Sequence, residues 1–190
     1  MRIPVVVHHR HVHLSQKDMD ALFGRALTPL SDLGHKGQVA YKETITVLGE
    51  NGLLEHVRVL GPAREETQLE LSAIEAAALG VDAPVRLSGD LSKAATVRLK
   101  GPNGEVKRRC AIIPARHIHL DHMDAQGLGV ANGDVVTLKA ERDGSHVEHV
   151  TVRVHPTFAA ECHLTSDEAA ELWLVTGDTL ELARQDGNAL

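Results

Sequence analysis

Histidine is the residue type in this chain most suited to chemistry. Thirteen are present among 190 residues, and four of them form two His-x-His pairs, His11/His13 and His117/His119. In extended backbone, residues two apart point to the same face, so each pair can converge on one cation. A pair supplies only two ligands, whereas a catalytic zinc takes three from the protein and keeps one position open for water or substrate. A lone His-x-His is as readily a hydrogen-bonded surface pair, since histidine also caps, donates and packs. The third ligand therefore decides.

The chain proposes that ligand when compared with itself. Arg10-His11-Val12-His13-Leu14 recurs as Arg116-His117-Ile118-His119-Leu120. Downstream, the run Glu70-Leu71-Ser72-Ala73-Ile74-Glu75 aligns with His163-Leu164-Thr165-Ser166-Asp167-Glu168, so Glu70 and His163 hold one position in two copies. Two ligand sets follow: His11/His13/Glu70 and His117/His119/His163. Glu and His are both uncommon at buried packing positions, which favours ligation over packing. His8 and His9 extend the first cluster, but their counterparts Pro114 and Ala115 cannot ligate, so they are read as orienting or pocket residues. His35, His56, His122, His146, His149 and His155 fall in expected loops or hairpins and are read as surface residues. Cys162 adjoins His163, but strand neighbours face opposite sides and it is assigned to the core. Arg10 and Arg116 precede the His pairs and are expected to point away from the metal positions, into structural hydrogen bonds. Arg64 differs. It lies in Gly61-Pro62-Ala63-Arg64, six residues before Glu70, where a turn can aim its guanidinium at the same pocket. Paired hydrogen bonds suit that group to phosphate, with a solvated loop arginine as the equal alternative.

The elements that must position these groups are mostly strands. Ile45-Thr46-Val47 leads through a glycine-containing turn to Glu55-His56-Val57, and Val136-Thr137-Leu138 leads through Asp143-Gly144 to Glu148-His149-Val150. Each reads as a β-hairpin. A short helix is expected over 16–22. Ser72 and Thr165 are candidate N-caps with a Glu three residues later, the pattern of a capping box. A further short strand follows each capped helix, over 84–87 and 178–182. The fold class expected is mainly β: two small β-barrels related by internal duplication and capped by short α-helices. Composition agrees, because hydrophobic residues make up 43% and aromatics only 2%. The core must then be built of Val, Leu, Ile and Ala. So few rings and a net charge of -6 argue against nucleic-acid binding. No segment approaches the ~20 apolar residues of a membrane-spanning helix, and the first residues lack the pattern of a signal peptide. Cys110 and Cys162 form no spaced framework, so a reducing compartment fits.

Several ordered motifs together resemble the phosphate propanoyltransferases of the propanediol-utilisation type. They are Arg10-His11-Val12-His13-Leu14-Ser15, Gly37-Gln38 with Lys42-Glu43-Thr44, Leu60-Gly61-Pro62-Ala63-Arg64, and Thr67-Gln68-Leu69-Glu70. Ala83-Pro84-Val85-Arg86, Ser88-Gly89-Asp90-Leu91, Ala115-Arg116-His117-Ile118-His119-Leu120 and His163 leading into Asp167-Glu168-Ala169 complete the match. The resemblance implies two barrels, 10–114 and 1–9 plus 115–190, the N-terminal strand completing the second. It implies two zinc ions on the two ligand sets above, with Arg64 as the catalytic, phosphate-binding arginine. It also implies reversible transfer of a short acyl group, propanoyl or acetyl, from coenzyme A to inorganic phosphate. A two-metal hydrolase of a thioester or phosphoester is the alternative. His8, Lys42 and Ala170 are assigned to substrate binding; relatives often carry Ser and Asn where this chain has His8 and Ala170. Lys42 and the Lys107-Arg108-Arg109 run are candidates for the phosphates of coenzyme A, although such a run is more often a solvated face. The sequence begins on a barrel strand without the amphipathic extension that directs some relatives into microcompartments, so a cytoplasmic location is expected. Homo-oligomerisation is left open.

Overall fold

A computed structural model describes residues 1–32 and 39–183, so His35 and the Gly37-Gln38 motif lie outside the described residues. The chain runs through β1 (Ile3–His8), β2 (His11–Ser15), α1 (Gln16–Phe23), β3 (Pro29–Asp32), β4 (Val39–Leu48), β5 (Leu53–Arg64), β6 (Gln68–Glu70), α2 (Ala73–Leu79), β7 (Val85–Arg86), β8 (Ala95–Lys100) and β9 (Glu105–Pro114). It continues through β10 (His117–Leu120), α3 (His122–Leu128), β11 (Val135–Ala140), β12 (His146–Val154), β13 (Glu161–Thr165), α4 (Ser166–Glu171) and β14 (Thr179–Leu182). Two compact units result, one of His9–Pro114 and one of Met1–His8 with Ala115–Leu190. The fold is mainly β, with four short helices among the described residues.

Each unit is a closed six-stranded barrel. In the first, the ring runs β4-β5-β2-β6-β9-β8 and returns to β4, with β3 and β7 appended. In the other it runs β1-β13-β10-β12-β11-β14 and returns to β1. The strand after each capped helix departs from the expected equivalence. Among the described residues Val85–Arg86 pairs only with β9, outside the ring, whereas Thr179–Leu182 bridges β11 and β1 within it. The partner that matches β14 is β8, which bridges β4 and β9. Similar local sequence order did not reveal this, because ring closure is set by pairings distant in sequence.

The duplication reaches the backbone of the hairpins. In β5 the inward apolar residues are Leu54, Val57 and Val59, and in β12 they are Val147, Val150 and Val152. A spacing of three and then two breaks the strand alternation, and one extra residue in each strand absorbs the difference as a β-bulge. That bulge places His56 at φ 57° and His149 at φ 58°, a left-handed conformation that histidine tolerates better than β-branched residues do. The two cores are built mainly from Val, Leu, Ile and Ala, with Met19 and Phe23 added in the first, and each encloses one cysteine, Cys110 or Cys162. Burial pushes both thiols up to about 12, so neither supplies a thiolate at neutral pH.

Each strand that carries a candidate ligand runs directly into a capped helix. Ser15, Ser72 and Asp121 accept from the backbone N–H three residues on, and the Glu75 and Glu168 carboxylates accept from the backbone N–H of Ser72 and Thr165. Arg10 donates to Glu75 and Arg116 to Glu168, so both arginines clamp a capping-box carboxylate. At the other end of the helices, the hairpin residues Asn51 and Asn103 donate to the Leu79 and Leu22 carbonyls, which have no partner within their own helix. The approach is close enough that a Cβ on Gly49 would sit 2.0 Å from the Leu79 carbonyl oxygen.

A half-buried ion pair ties α1 to the barrel wall. Asp18 is only 1% exposed; it accepts 2.6 Å hydrogen bonds from Arg108 Nη2 and Thr67 Oγ1. Burial alone would raise the Asp18 pKa, but those hydrogen bonds outweigh it and hold the carboxyl below its usual range. The Arg108 side chain is 36% exposed, so Asp18→Asn should cost about 2 kcal/mol at pH 7, less than the ~3–5 kcal/mol of breaking a fully buried pair. A folded pKa below the unfolded value of ~3.9 means that this stability is present above that pH and is lost as pH falls through the folded value. Urea denaturation should therefore show a gap between wild type and variant at pH 7 that narrows by pH 3. Equal midpoints at pH 7 would rule the assignment out.

Candidate metal centres

In the unit formed by His9–Pro114, β2 pairs antiparallel with β6 so that His11 lies opposite Glu70 and His13 opposite Gln68. All four are buried, with His13 at 4% and Glu70 at 6% exposure. His11 Nδ1–H donates to the His9 carbonyl at 2.9 Å, which turns Nε2 toward Glu70, 3.4 Å from Oε2. Two ligands on one tetrahedral zinc, each bonded at ~2.0–2.1 Å, stand ~3.3 Å apart. The observed separation fits. The His13 ring lies 5.2 Å from that of His11, centroid to centroid, and its buried Nδ1 has no hydrogen-bond partner among the described residues. Burial, followed by the positive charge of Arg64 and by His11, lowers the His13 pKa to about 3, against the opposing pull of Glu70 and the Leu60 backbone. The ring is thus neutral, the form in which histidine ligates a metal.

A polar chain runs outward from this carboxylate. Gln68 Nε2 donates to Glu70 Oε1 at 2.6 Å and to Ser88 Oγ at 2.9 Å, while Gly89 N–H donates to Gln68 Oε1 at 2.8 Å. Arg64, at the end of β5, donates to Ser88 Oγ at 3.2 Å. The candidate phosphate-binding arginine and the candidate carboxylate ligand therefore belong to one network. Lys42 is exposed on β4. The 107–109 run is partly structural, since Arg108 pairs with Asp18 and Arg109 Nε donates to the Ala94 carbonyl.

In the other unit, β10 pairs antiparallel with β13 and sets His117 opposite His163. His117, His119 and His163 each offer a nitrogen within 4.8 Å of the others, a grouping that could hold a metal ion. The His117 and His163 rings stack with centroids 4.7 Å apart. His117 Nδ1–H donates to the Ala115 carbonyl at 2.8 Å, the counterpart of the His11 to His9 bond. His163 is held by side chains instead: Nδ1 is hydrogen-bonded to His8 Nε2, and Nε2 lies 3.6 Å from Glu161 Oε2. Phe158 stacks on His119 at 3.9 Å. Ala170 is exposed on α4. No helix among the described residues is long and apolar enough to cross a membrane.

Sequence reasoning assigned no role to Gln68, Ser88, Phe158 or Glu161. Gln68 and Glu161 were within reach of it, since each stands two residues before the third ligand of its copy and so shares that ligand's face. Ser88 and Phe158 carry no comparable signal, because loops bring them in.

The His13 environment has a measurable consequence in metal-free protein. Its folded pKa of about 3 lies below the unfolded value of ~6.5, so the unfolded chain binds more protons between those limits and stability falls as pH drops through that window. In the presence of a chelator, wild type should lose stability between pH 7 and pH 5 by denaturant titration, and His13→Ala should lose less. Identical slopes in the two proteins would contradict a neutral, buried His13.

The family model for phosphate propanoyltransferase matches residues 4–174. Proteins named phosphate propanoyltransferase are 46% identical in Thermotoga maritima, over 93% of this chain and 86% of the relative, and 42% identical in Priestia megaterium, over 93% and 83%. A third, from Rhodobacter capsulatus, is 43% identical over 88% of this chain and 80% of its own length. With both His-x-His pairs, Arg64, Glu70 and His163 inside the matched span, this chain belongs to the phosphate propanoyltransferase family and is an acyltransferase.

Proposed function

We propose that this protein converts a short-chain acyl-CoA and inorganic phosphate reversibly into acyl phosphate and coenzyme A, using two zinc ions. One would be held by His11, His13 and Glu70, the other by His117, His119 and His163. The observation that carries this reading is a matched ligand geometry in a chain of this family: a buried donor opposite the first histidine of each pair, Glu70 in one unit and His163 in the other. Bound zinc would supply charge neutralisation for phosphate and would favour the thiolate form of the departing coenzyme A sulfur.

The reaction balances without redox change. A phosphate oxygen forms a bond to the thioester carbonyl carbon, the C–S bond breaks, and the electron pair leaves with sulfur. Arg64 binds and orients the phosphate through its guanidinium, supplying proximity and positive charge rather than a covalent intermediate. The His13 ring stays neutral beside it and takes up no proton at working pH. The two donor sets differ in charge, because Glu70 adds a carboxylate to one and the other is uncharged. The all-histidine set therefore suits the more anionic partner, phosphate, and the Glu70 set suits the thiolate. Propanoyl and acetyl chains differ by one methylene, worth ~1–3 kcal/mol in a pocket, so both belong to the proposed range. Two buried free cysteines agree with a reducing, cytoplasmic setting.

Chelation should abolish phosphorolysis of propanoyl-CoA, and added zinc should restore it. Arg64→Ala should raise the KM for phosphate roughly 10- to 100-fold, the ~1.5–3 kcal/mol of hydrogen bonds to a charged group. Trapping the product with hydroxylamine distinguishes acyl phosphate from the free acid of a hydrolase. Full activity without metal would sink the zinc reading, and an unchanged phosphate KM would remove Arg64 from its role.

A further inference from the structure

We propose that Gln68 is a positioning residue that fixes which oxygen Glu70 presents and couples that carboxylate to Arg64 through Ser88; this rests on reading Glu70 as a metal ligand. Gln68 is 2% exposed. Its amide orientation follows from its partners, since a carboxylate only accepts and a backbone N–H only donates. Nitrogen must face Glu70 Oε1, at 2.6 Å, and oxygen must face Gly89 N–H, at 2.8 Å. The second amide hydrogen goes to Ser88 Oγ at 2.9 Å. Both donors of Gln68 are therefore committed. With Oε1 occupied, Oε2 is the oxygen turned to His11 Nε2 at 3.4 Å. A rotated Glu70 would leave a buried Gln68 N–H unpaired, so the amide holds one carboxylate conformation.

The other copy carries a residue of opposite polarity at the matching position. Glu161 stands at the position equivalent to Gln68: one lies opposite His119 on β10, the other opposite His13 on β2. There the candidate third ligand is an imidazole, and Glu161 Oε2 lies 3.6 Å from His163 Nε2, a charge contact longer than a hydrogen bond. An amide donor accompanies the carboxylate and a carboxylate acceptor accompanies the imidazole. Ser88 extends the contact of Gln68 with Glu70, because its Oγ accepts from both Gln68 and Arg64. The guanidinium and the carboxylate are thus held at a set separation by two intervening side chains.

The test measures zinc affinity by competition with a chromogenic chelator, together with kcat and phosphate KM, in wild type, Gln68→Ala, Gln68→Glu, Ser88→Ala and Glu70→Ala. Wild type should bind two ions. Both Gln68 variants should bind one of them about 10- to 100-fold more weakly while retaining the other, as expected when an outer partner of a ligand is lost, and their kcat should fall. The retained ion reports that the variant has folded, and the near-isosteric Gln68→Glu guards against a packing defect in Gln68→Ala. Ser88→Ala should keep both ions and raise the phosphate KM. Unchanged affinity at both sites in the Gln68 variants overturns the proposal, as does equal weakening of both ions with a lowered melting temperature. If Glu70→Ala binds zinc as wild type does, the metal reading itself fails and the proposal falls with it, an outcome distinct from failure at Gln68 alone.

Discussion

The register of two short antiparallel strand pairs is the constraint on which the candidate centres depend. His11 stands opposite Glu70 and His117 opposite His163. Cross-strand partners are near neighbours on one face of a sheet, and a slip of one residue would turn each third ligand to the other face. The register is held at both ends. A helix begins within three residues of the end of β2, β6, β10 and β13, and its cap fixes where each strand stops. Arg10 and Arg116 then clamp the capping-box carboxylates Glu75 and Glu168, which binds the start of each His-x-His strand to the helix that follows the third ligand.

The duplication is deeper in backbone than in side chains. Both barrels carry a bulge with a left-handed histidine, His56 or His149, and in both the first histidine of the pair donates Nδ1–H to the carbonyl two residues before it. These features repeat because they shape the strand or select a ring nitrogen, tasks common to both halves. The groups around the third ligand do not repeat. Glu70 is served by Gln68 and linked onward to Ser88 and Arg64, whereas His163 meets His8 and Glu161. One scaffold thus carries two candidate donor sets of different polar surroundings, which accords with the separate roles proposed for thiolate and phosphate.

His8 illustrates how position decides role. By sequence it adjoins the first His pair, and an orienting or pocket residue is the reading that follows from that neighbourhood. In the fold its strand, β1, pairs in parallel with β13, and its ring is hydrogen-bonded to His163, the candidate ligand of the other set. Cys162 shows the reverse case, in which strand alternation alone was enough to place it in the core beside a candidate ligand.

By itself the sequence proposed the candidate ligand types and the two matched sets, and determined the mainly β character and the capped helices. Each of these is local or periodic: i, i+2 spacing on a strand, a cap with a Glu three residues on, and motifs repeated in the same order. Tertiary structure decided what depends on pairing across long stretches of chain. Ring closure makes β8, and not β7, the counterpart of β14, and it brings Ser88 to Gln68 and Phe158 to His119. Those contacts join loops to strands with no fixed spacing, so no periodicity records them. Arg64 stands between the two cases: its type and place near Glu70 were legible, but the hydrogen-bonded path connecting it to that carboxylate exists only once the barrel has closed.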